Sequence, residues 1–341
     1  MSTVLVTGGT GFLAEHIIIQ LLNTGYDVRT TVRSLQRVAA VQASLHQGGI
    51  VQDSGLQFLT GDLLQDEGWI EAVSGCDAVL HVASPFPPVQ PKNEDELVAP
   101  AVGGTLRVLK AAHAAGVKRV VLTSSFAAVG YGHGAGERHY NEGDWTDPAG
   151  ADVTPYIKSK TLAERAAWDF ISNEGSTLEL SVINPVGIFG PVLGPHYAAS
   201  IGLVKALLEG SMPALARIYF GAVDVRDVAA LHLLALTSPT AIGERFIAVA
   251  EPITSMAEVA KVLREHFGSV AGKVPRVTLP DWLYRALARV VPALRGTAPQ
   301  VGIIRHTNHD KAQQLLGWEP RPAREAIIAS AESLLRLKLI N

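Results

Sequence analysis

Short runs of β-branched and aliphatic residues alternate with segments of helical periodicity through the first two-thirds of the chain. Val4-Leu5-Val6, Val28 to Val32, Leu56 to Leu59, Ala78 to Val82, Arg119 to Thr123 and Leu178 to Ile183 read as strands. Leu13 to Leu22, ended by Gly25, reads as a helix, as do Leu97 to Ala115, closed by Gly116, and Thr161 to Ile171. Strands separated by helices need crossover connections, so the sheet they build is parallel and covered on both faces. The expected fold class is α/β with a doubly wound parallel sheet. The alternation loosens after Pro185, where Pro and Gly crowd as far as Pro195, and the remainder reads as mostly helical. One late strand, Phe246 to Val249, points back to the sheet. Residues 1–184 are therefore expected to form the main unit, with a return segment at about 219–250. Residues 185–218 and 251–341 would form a smaller, mainly helical C-terminal lobe. The glycine-rich stretch Gly130 to Gly136 reads as a mobile loop.

Composition narrows the function classes. The 341 residues are 48% hydrophobic and 18% charged, which suits a substantial core and not a disordered chain. The net charge is -3 and no basic stripe appears, so nucleic acid is not an expected partner. Cys76 is the one cysteine and reads as a structural thiol. The eleven histidines do not fall at metal-ligand spacings, His133 and His139 included, and no metal is expected. No signal segment follows Met1, and the most apolar stretch, Trp282 to Leu294, is interrupted by Arg285, Arg289 and Pro292. It reads as an amphipathic packed helix, with no membrane partner and a cytoplasmic location as the default.

The first strand runs into Thr7-Gly8-Gly9-Thr10-Gly11-Phe12-Leu13-Ala14, which opens the first helix. In that context the glycines allow a tight turn and close backbone approach, and Ala14 keeps helix near sheet. The helix N-terminus then offers free N–H groups to a pyrophosphate. This makes the sheet a Rossmann-type dinucleotide-binding unit. The second strand ends at Arg33, with Arg37 four residues on, while Asp27 lies at the wrong end. A guanidinium there suits the 2′-phosphate of NADPH, as a carboxylate would suit the ribose of NADH. The expected cofactor is NADPH/NADP.

Tyr156-Ile157-Lys158-Ser159-Lys160 carries the chemistry. Thr154 and Pro155 read as a helix start, which places Tyr156 and Lys160 one turn apart on one face. Carbonyl reduction needs a proton at oxygen as hydride reaches carbon. A free tyrosine, with a pKa near ~10, needs a neighbouring cation to serve. The fifth strand ends in Thr123-Ser124-Ser125, delivering a serine hydroxyl to the sheet's carboxyl edge, where either serine could meet a substrate oxygen.

The spacing T-G-x-x-G-x-x-A resembles the extended short-chain dehydrogenase/reductase family, with Gly8, Gly11 and Ala14 in its three positions. The similarity covers nearly the whole chain. It includes His81-Val82-Ala83-Ser84-Pro85, Asn184-Pro185-Val186, Phe189-Gly190-Pro191, Asp224 to Ala229, Asp310-Lys311-Ala312 and Leu316-Gly317-Trp318 with Pro320. These pieces resemble the dihydroflavonol-reductase-like branch. The resemblance implies a Ser-Tyr-Lys set of Ser125, Tyr156 and Lys160, with Ser124 as the fallback. It also implies cofactor contacts from Thr7 through Leu13, Arg33, Arg37, Asp62, Leu63, Ala83, Ser84, Pro185, Val186 and Ser200, together with Tyr156 and Lys160. Asp62 would meet the adenine, or else cap the following segment. Phe86, Phe126 and Ile188 would face the substrate, bordered by His196 and Tyr197. Two departures weaken plant-enzyme readings: Gly130 stands where dihydroflavonol reductases carry asparagine, and Asp152 to Tyr156 replaces the N-W-Y-C-Y of cinnamoyl-CoA reductases. The arginine spacing is more similar to the methylglyoxal/isovaleraldehyde reductase type.

The implied activity is NADPH-dependent reduction of an aldehyde or ketone, an α-dicarbonyl, keto ester or aryl ketone among them, to an alcohol. The competing enzyme readings are an NAD-dependent sugar-nucleotide epimerase/dehydratase and a hydroxysteroid dehydrogenase. The competing non-enzyme reading is an NADP-binding redox sensor. A small carbonyl compound is the expected partner, and a homodimer is an open expectation.

Overall fold

A computed structural model describes residues 2–85, 93–175 and 177–340. The main sheet has seven strands in the order β10-β7-β5-β4-β1-β2-β3. They are β1 (Thr3–Val6), β2 (Asp27–Val32), β3 (Leu56–Thr60), β4 (Ala78–His81), β5 (Arg119–Thr123), β7 (Glu179–Pro185) and β10 (Arg245–Ala248). Every pairing is parallel. The late strand therefore does return to this sheet, at its edge beside β7.

The helices are α1 (Phe12–Asn23), α2 (Val38–Gln47), α3 (Trp69–Val73), α4 (Asp95–Ala114), α5 (Pro155–Asn173), α6 (Ala199–Glu209), α7 (Val225–Thr237), α8 (Met256–Phe267), α9 (Asp281–Val290), α10 (Asp310–Leu316) and α11 (Ala323–Arg336). Period-two alternation in β1 sends Val4 and Val6 to one face, against Ile17, Ile18 and Leu21 of α1. Leu5 goes to the other, against Trp69, Val108 and Leu109 of α3 and α4. Each such fully buried aliphatic side chain stabilises the fold by roughly 1.5–3 kcal/mol. Burial on both faces explains why these strands read as nearly continuous apolar runs.

The chain beyond Pro185 also holds short strands that the sequence did not announce. β8 (Gly187–Phe189), β9 (Tyr219–Asp224) and β11 (Ala250–Ser255) form a three-stranded sheet in the order β11-β9-β8. Their polar and apolar positions give no sustained period, and three-residue β8 is too short to show one. The C-terminal residues are fastened to α7, where the Trp318 indole N–H donates to the Asp227 carbonyl at 2.9 Å and Arg321 pairs with Asp227 at 3.0 Å. Helix α9 is amphipathic, with Tyr284 and Ala288 buried and Trp282 exposed.

The glycine-rich stretch is not a free loop. Directly after it, β6 (Glu137–His139) pairs with β12 (Ile304–His306). Arg305 Nε donates to the Gly130 carbonyl at 2.7 Å, its guanidinium pairs with Asp152, and Asp152 accepts the Gly132 N–H at 3.0 Å. The partner that ties the loop lies 175 residues away, which no local pattern reveals.

Candidate active site

The order of the sheet reverses direction between β4 and β1, and the carboxyl edge there opens a crevice in any doubly wound fold. Thr7 fixes the two walls of this crevice. Its hydroxyl oxygen accepts the backbone N–H groups of Val82 and Ala83, each at 3.0 Å, and contacts His81 Nδ1 at 2.9 Å. With both lone pairs engaged, Thr7 gives its proton to Nδ1, which assigns the His81 proton to Nε2. Burial pulls His81 down to about 3, and the Lys160 charge pulls the same way, so the ring is neutral.

Gly8 takes φ +76°, and a Cβ there would sit 3.0 Å from the Ala83 Cβ and 3.1 Å from its Cα. A Cβ on Gly9 would lie 2.3 Å from Thr30 Oγ1. Gly11 is the N-cap of α1 and supplies no side-chain cap, so the first turn of the helix keeps its N–H groups for another acceptor. Thr10, Phe12 and Leu13 complete this turn, with Phe12 and Leu13 buried on the helix's inner side. A glycine cradle under an uncapped helix start fits the pyrophosphate of a dinucleotide.

At the neighbouring strand ends, Arg33 follows β2 and Arg37 follows one turn later, both exposed and neither in an ion pair among the described residues. Asp27 sits at the opposite edge, paired in register with Thr3. Asp62 follows β3; its carboxylate accepts the Leu64 N–H at 3.0 Å, and its carbonyl accepts the Trp69 indole N–H at 3.1 Å. Leu63 packs against the Gly104 backbone of α4 and its carbonyl accepts from Arg107 at 2.8 Å. Ala83 and Ser84 continue β4, half-buried at the crevice wall. Pro185 ends β7, and Val186 follows it, half-buried.

The groups expected to react lie at the end of β5 and on α5. Thr154 caps α5, accepting the Ile157 N–H at 3.4 Å, and Pro155 occupies the first turn. Tyr156 and Lys160 follow on one face. The side chains of Ser125 and Tyr156 are hydrogen-bonded to each other, and Ser125 Oγ also accepts the Ala127 N–H at 3.1 Å. Burial holds the Tyr156 phenol above its ordinary range; the Ser125 bond opposes this and nearby Tyr131 adds to it. Burial brings Lys160 down to about 8 while Glu164 pulls it up, and its ammonium faces the Thr123 carbonyl at 3.5 Å. A phenol that stays protonated beside a serine hydroxyl, with an ammonium one turn away, has the chemistry of a proton donor.

Ser124, the alternative serine, points elsewhere: its hydroxyl donates to Glu164 inside the protein. Three residues the sequence reading passed over meet it there. Glu164 also accepts from Asn184 Nδ2 at 2.7 Å and Arg245 Nε at 2.6 Å. The spacing of Lys160 and Glu164, one helical turn, was the available signal; Asn184 stood only within a family-like motif with no role assigned, and Arg245 gave none.

The other expected contacts are placed less uniformly. Phe126 is 7% exposed, with its ring edge-on to Tyr131 and Tyr140 at 6.2 Å in a small core cluster. It packs against this cluster. Ile188 is half-buried on β8, and Ser200 donates its hydroxyl to the Ile188 carbonyl, which ties α6 to β8. His196 is exposed and Tyr197 half-buried in the preceding turn. Phe86 lies outside the described residues.

The model of the NAD dependent epimerase/dehydratase family matches residues 4–249. A tetraketide alpha-pyrone reductase of Arabidopsis thaliana is 36% identical over 273 residues, 78% of this chain and 83% of that protein. An NADPH-dependent methylglyoxal reductase of Saccharomyces cerevisiae is 30% identical, with 98% of this chain and 99% of that protein aligned. Among solved structures, yeast methylglyoxal/isovaleraldehyde reductase complexed with NADPH superposes with a TM-score of 0.79 at 28% identity, covering 98% of this chain and 99% of that one. The chain belongs to the NAD dependent epimerase/dehydratase family, the extended branch of the short-chain dehydrogenases/reductases.

Proposed function

We propose that this chain reduces an aldehyde or ketone to an alcohol at the expense of NADPH, with Ser125, Tyr156 and Lys160 as the reacting set. The oxidoreductase class rests on the family and on relatives that are NADPH-dependent carbonyl reductases. The observation that carries the residue assignment is the Ser125–Tyr156 hydrogen bond at the carboxyl edge of the sheet, one turn from Lys160. NADPH would be held by the Gly8–Leu13 turn, the crevice wall at Ala83 and Ser84, and Arg33 with Arg37 at its 2′-phosphate; when bound it supplies the hydride.

The chain's own residues do the rest. The Ser125 and Tyr156 hydroxyls converge on the carbonyl oxygen and orient it. Tyr156, protonated in its buried setting, gives its proton to that oxygen as negative charge develops there. The Lys160 ammonium stabilises the phenolate that remains. Neutral His81, deep beside Thr7, contributes no competing charge. Small α-dicarbonyls, keto esters and aryl ketones form the substrate panel that fits a half-apolar rim of Val186 and Ile188.

Absorbance loss is followed with NADPH and with NADH across that panel. The account expects turnover that prefers NADPH. Tight NADP binding without turnover on any carbonyl would favour the redox sensor, and co-purified NAD without reductase activity would favour the epimerase/dehydratase reading.

A further inference from the structure

We propose that Glu164 is the positioning residue of this site, a single buried carboxylate that holds the serine-bearing strand end and the tyrosine–lysine helix in one rigid unit. The proposal rests on the reductase reading above and deepens it. Glu164 is 1% exposed and lies on α5 one turn after Lys160 and two turns after Tyr156, on the same face. Its two oxygens reach four other groups. One oxygen accepts from the Ser124 hydroxyl and from Asn184 Nδ2 at 2.7 Å; the other accepts from Arg245 Nε at 2.6 Å and the Trp168 indole at 3.4 Å. Ser124 precedes Ser125 at the end of β5, Asn184 is on β7 and Arg245 starts β10. Asn184 Nδ2 also donates to the Ser125 carbonyl at 3.2 Å. The backbone on both sides of the reacting serine is thus fastened, directly or through one amide, to the helix that carries its partners.

Arg245 is itself braced. Its Nη1 donates to the carbonyls of Glu142 and Asp144 at 2.7 Å, and its guanidinium lies 3.9 Å from the Trp145 ring centroid. It neutralises Glu164 without giving the carboxylate freedom to turn. A simple structural ion pair would need neither the serine nor the amide. The charged and titratable groups that bear on Lys160 are Glu164, one turn on along α5, and His81 from β4; Arg245 from β10 pairs with the carboxylate from behind. Among these Glu164 is the one anion, so its charge is what sustains the ammonium.

The test compares wild type, Glu164→Gln and Ser124→Ala. Lysine labelled with carbon-13 is followed by NMR through a pH titration of the chain without cofactor, with the Lys160 signal assigned from Lys160→Arg. NADPH affinity is read by fluorescence, and kcat and KM are read against pH. Glu164→Gln should move the Lys160 midpoint down by about one pH unit or more. It should move the alkaline limb of kcat with it and lower kcat about tenfold. Ser124→Ala, which removes no charge, should leave the midpoint and the limb in place yet lower kcat/KM about tenfold, with NADPH affinity kept. A folded Glu164→Gln chain with an unmoved Lys160 midpoint overturns the proposal, and so does Ser124→Ala with wild-type kcat/KM. If the glutamine chain does not fold, the alanine variant decides. The titration needs no cofactor, so a wild-type chain that reduces no carbonyl would sink the reductase reading and leave the midpoint to judge Glu164.

Discussion

At Gly8 a methyl group has nowhere to go. The backbone takes φ +76°, and the Cβ would press on Ala83, the residue that lines the crevice from β4. Gly8→Ala should therefore cost about 1–2 kcal/mol of stability from the left-handed backbone alone. It should also weaken NADPH by about tenfold, because the turn must shift away from the phosphates. A melting curve and a fluorescence titration check both numbers; an unchanged NADPH affinity would mean that the turn does not cradle the cofactor. Phe126 teaches the opposite lesson. It follows the reacting serine directly, yet a Cβ on Gly130 would lie 2.6 Å from its ring, and that ring belongs to the core under the site.

At the scale of elements, the start of α1 and the end of β2 set cofactor binding together. Arg33 and Arg37 stand at the carboxyl end of β2 without ion-pair partners among the described residues, a placement that favours a phosphate over a bare ribose. Replacing both with alanine should lower the NADPH-over-NADH preference by about tenfold to a hundredfold, mostly through KM for NADPH. Equal losses for both cofactors would contradict the assignment. Helix α1 also buries Glu15, whose carboxyl is pushed up to about 8 by burial, with a Ser44 hydrogen bond opposing. It is protonated in the folded chain and ionised in the unfolded chain above the ordinary 4.5. The stability it permits is full below that value and is lost as pH rises to about 8, a change of about 5 kcal/mol. Glu15→Gln should remove that contribution, so the variant's stability relative to wild type should rise between pH 5 and pH 8, as denaturant midpoints of the two chains would show.

Over the whole molecule three buried histidines work in the other direction. Burial pulls His16 and His232 down to about 4 and His81 to about 3, from an ordinary 6.5. Each is neutral when folded, so its stability is full above 6.5 and is lost as pH falls toward the folded values. Near pH 5.5 the unfolded chain holds these three protons while the folded chain holds that of Glu15, a net of two. Stability then falls by roughly 2–3 kcal/mol per pH unit on acidification. Above about pH 7 the loss from Glu15 is offset by Lys160, which burial brings down to about 8, so stability levels off there. Denaturant midpoints taken across pH 4.5 to 7 should trace the rise, and a flat profile would contradict the burial of these groups.

The same scale shows what the sequence could carry. The parallel sheet, the glycine turn and the Tyr156–Lys160 helix were legible because each is written in local period, turn chemistry or one-turn spacing. The fastening of Gly130 by Arg305, the three-stranded sheet of β8, β9 and β11, and the meeting of Ser124, Glu164, Asn184 and Arg245 were not. Those depend on side chains brought together from distant strands, where spacing has no meaning. The structure also separates the two serines that sequence left side by side, since one turns inward to Glu164 and the other to Tyr156.

The central claim is that the Tyr156 hydroxyl protonates a carbonyl oxygen beside Ser125. The most direct measurement is single-turnover oxidation of bound NADPH by a reducible ketone in wild type and Tyr156→Phe. The account predicts that the phenylalanine chain binds NADPH as wild type does and loses at least about a hundredfold in rate. Wild-type rates in Tyr156→Phe would contradict it.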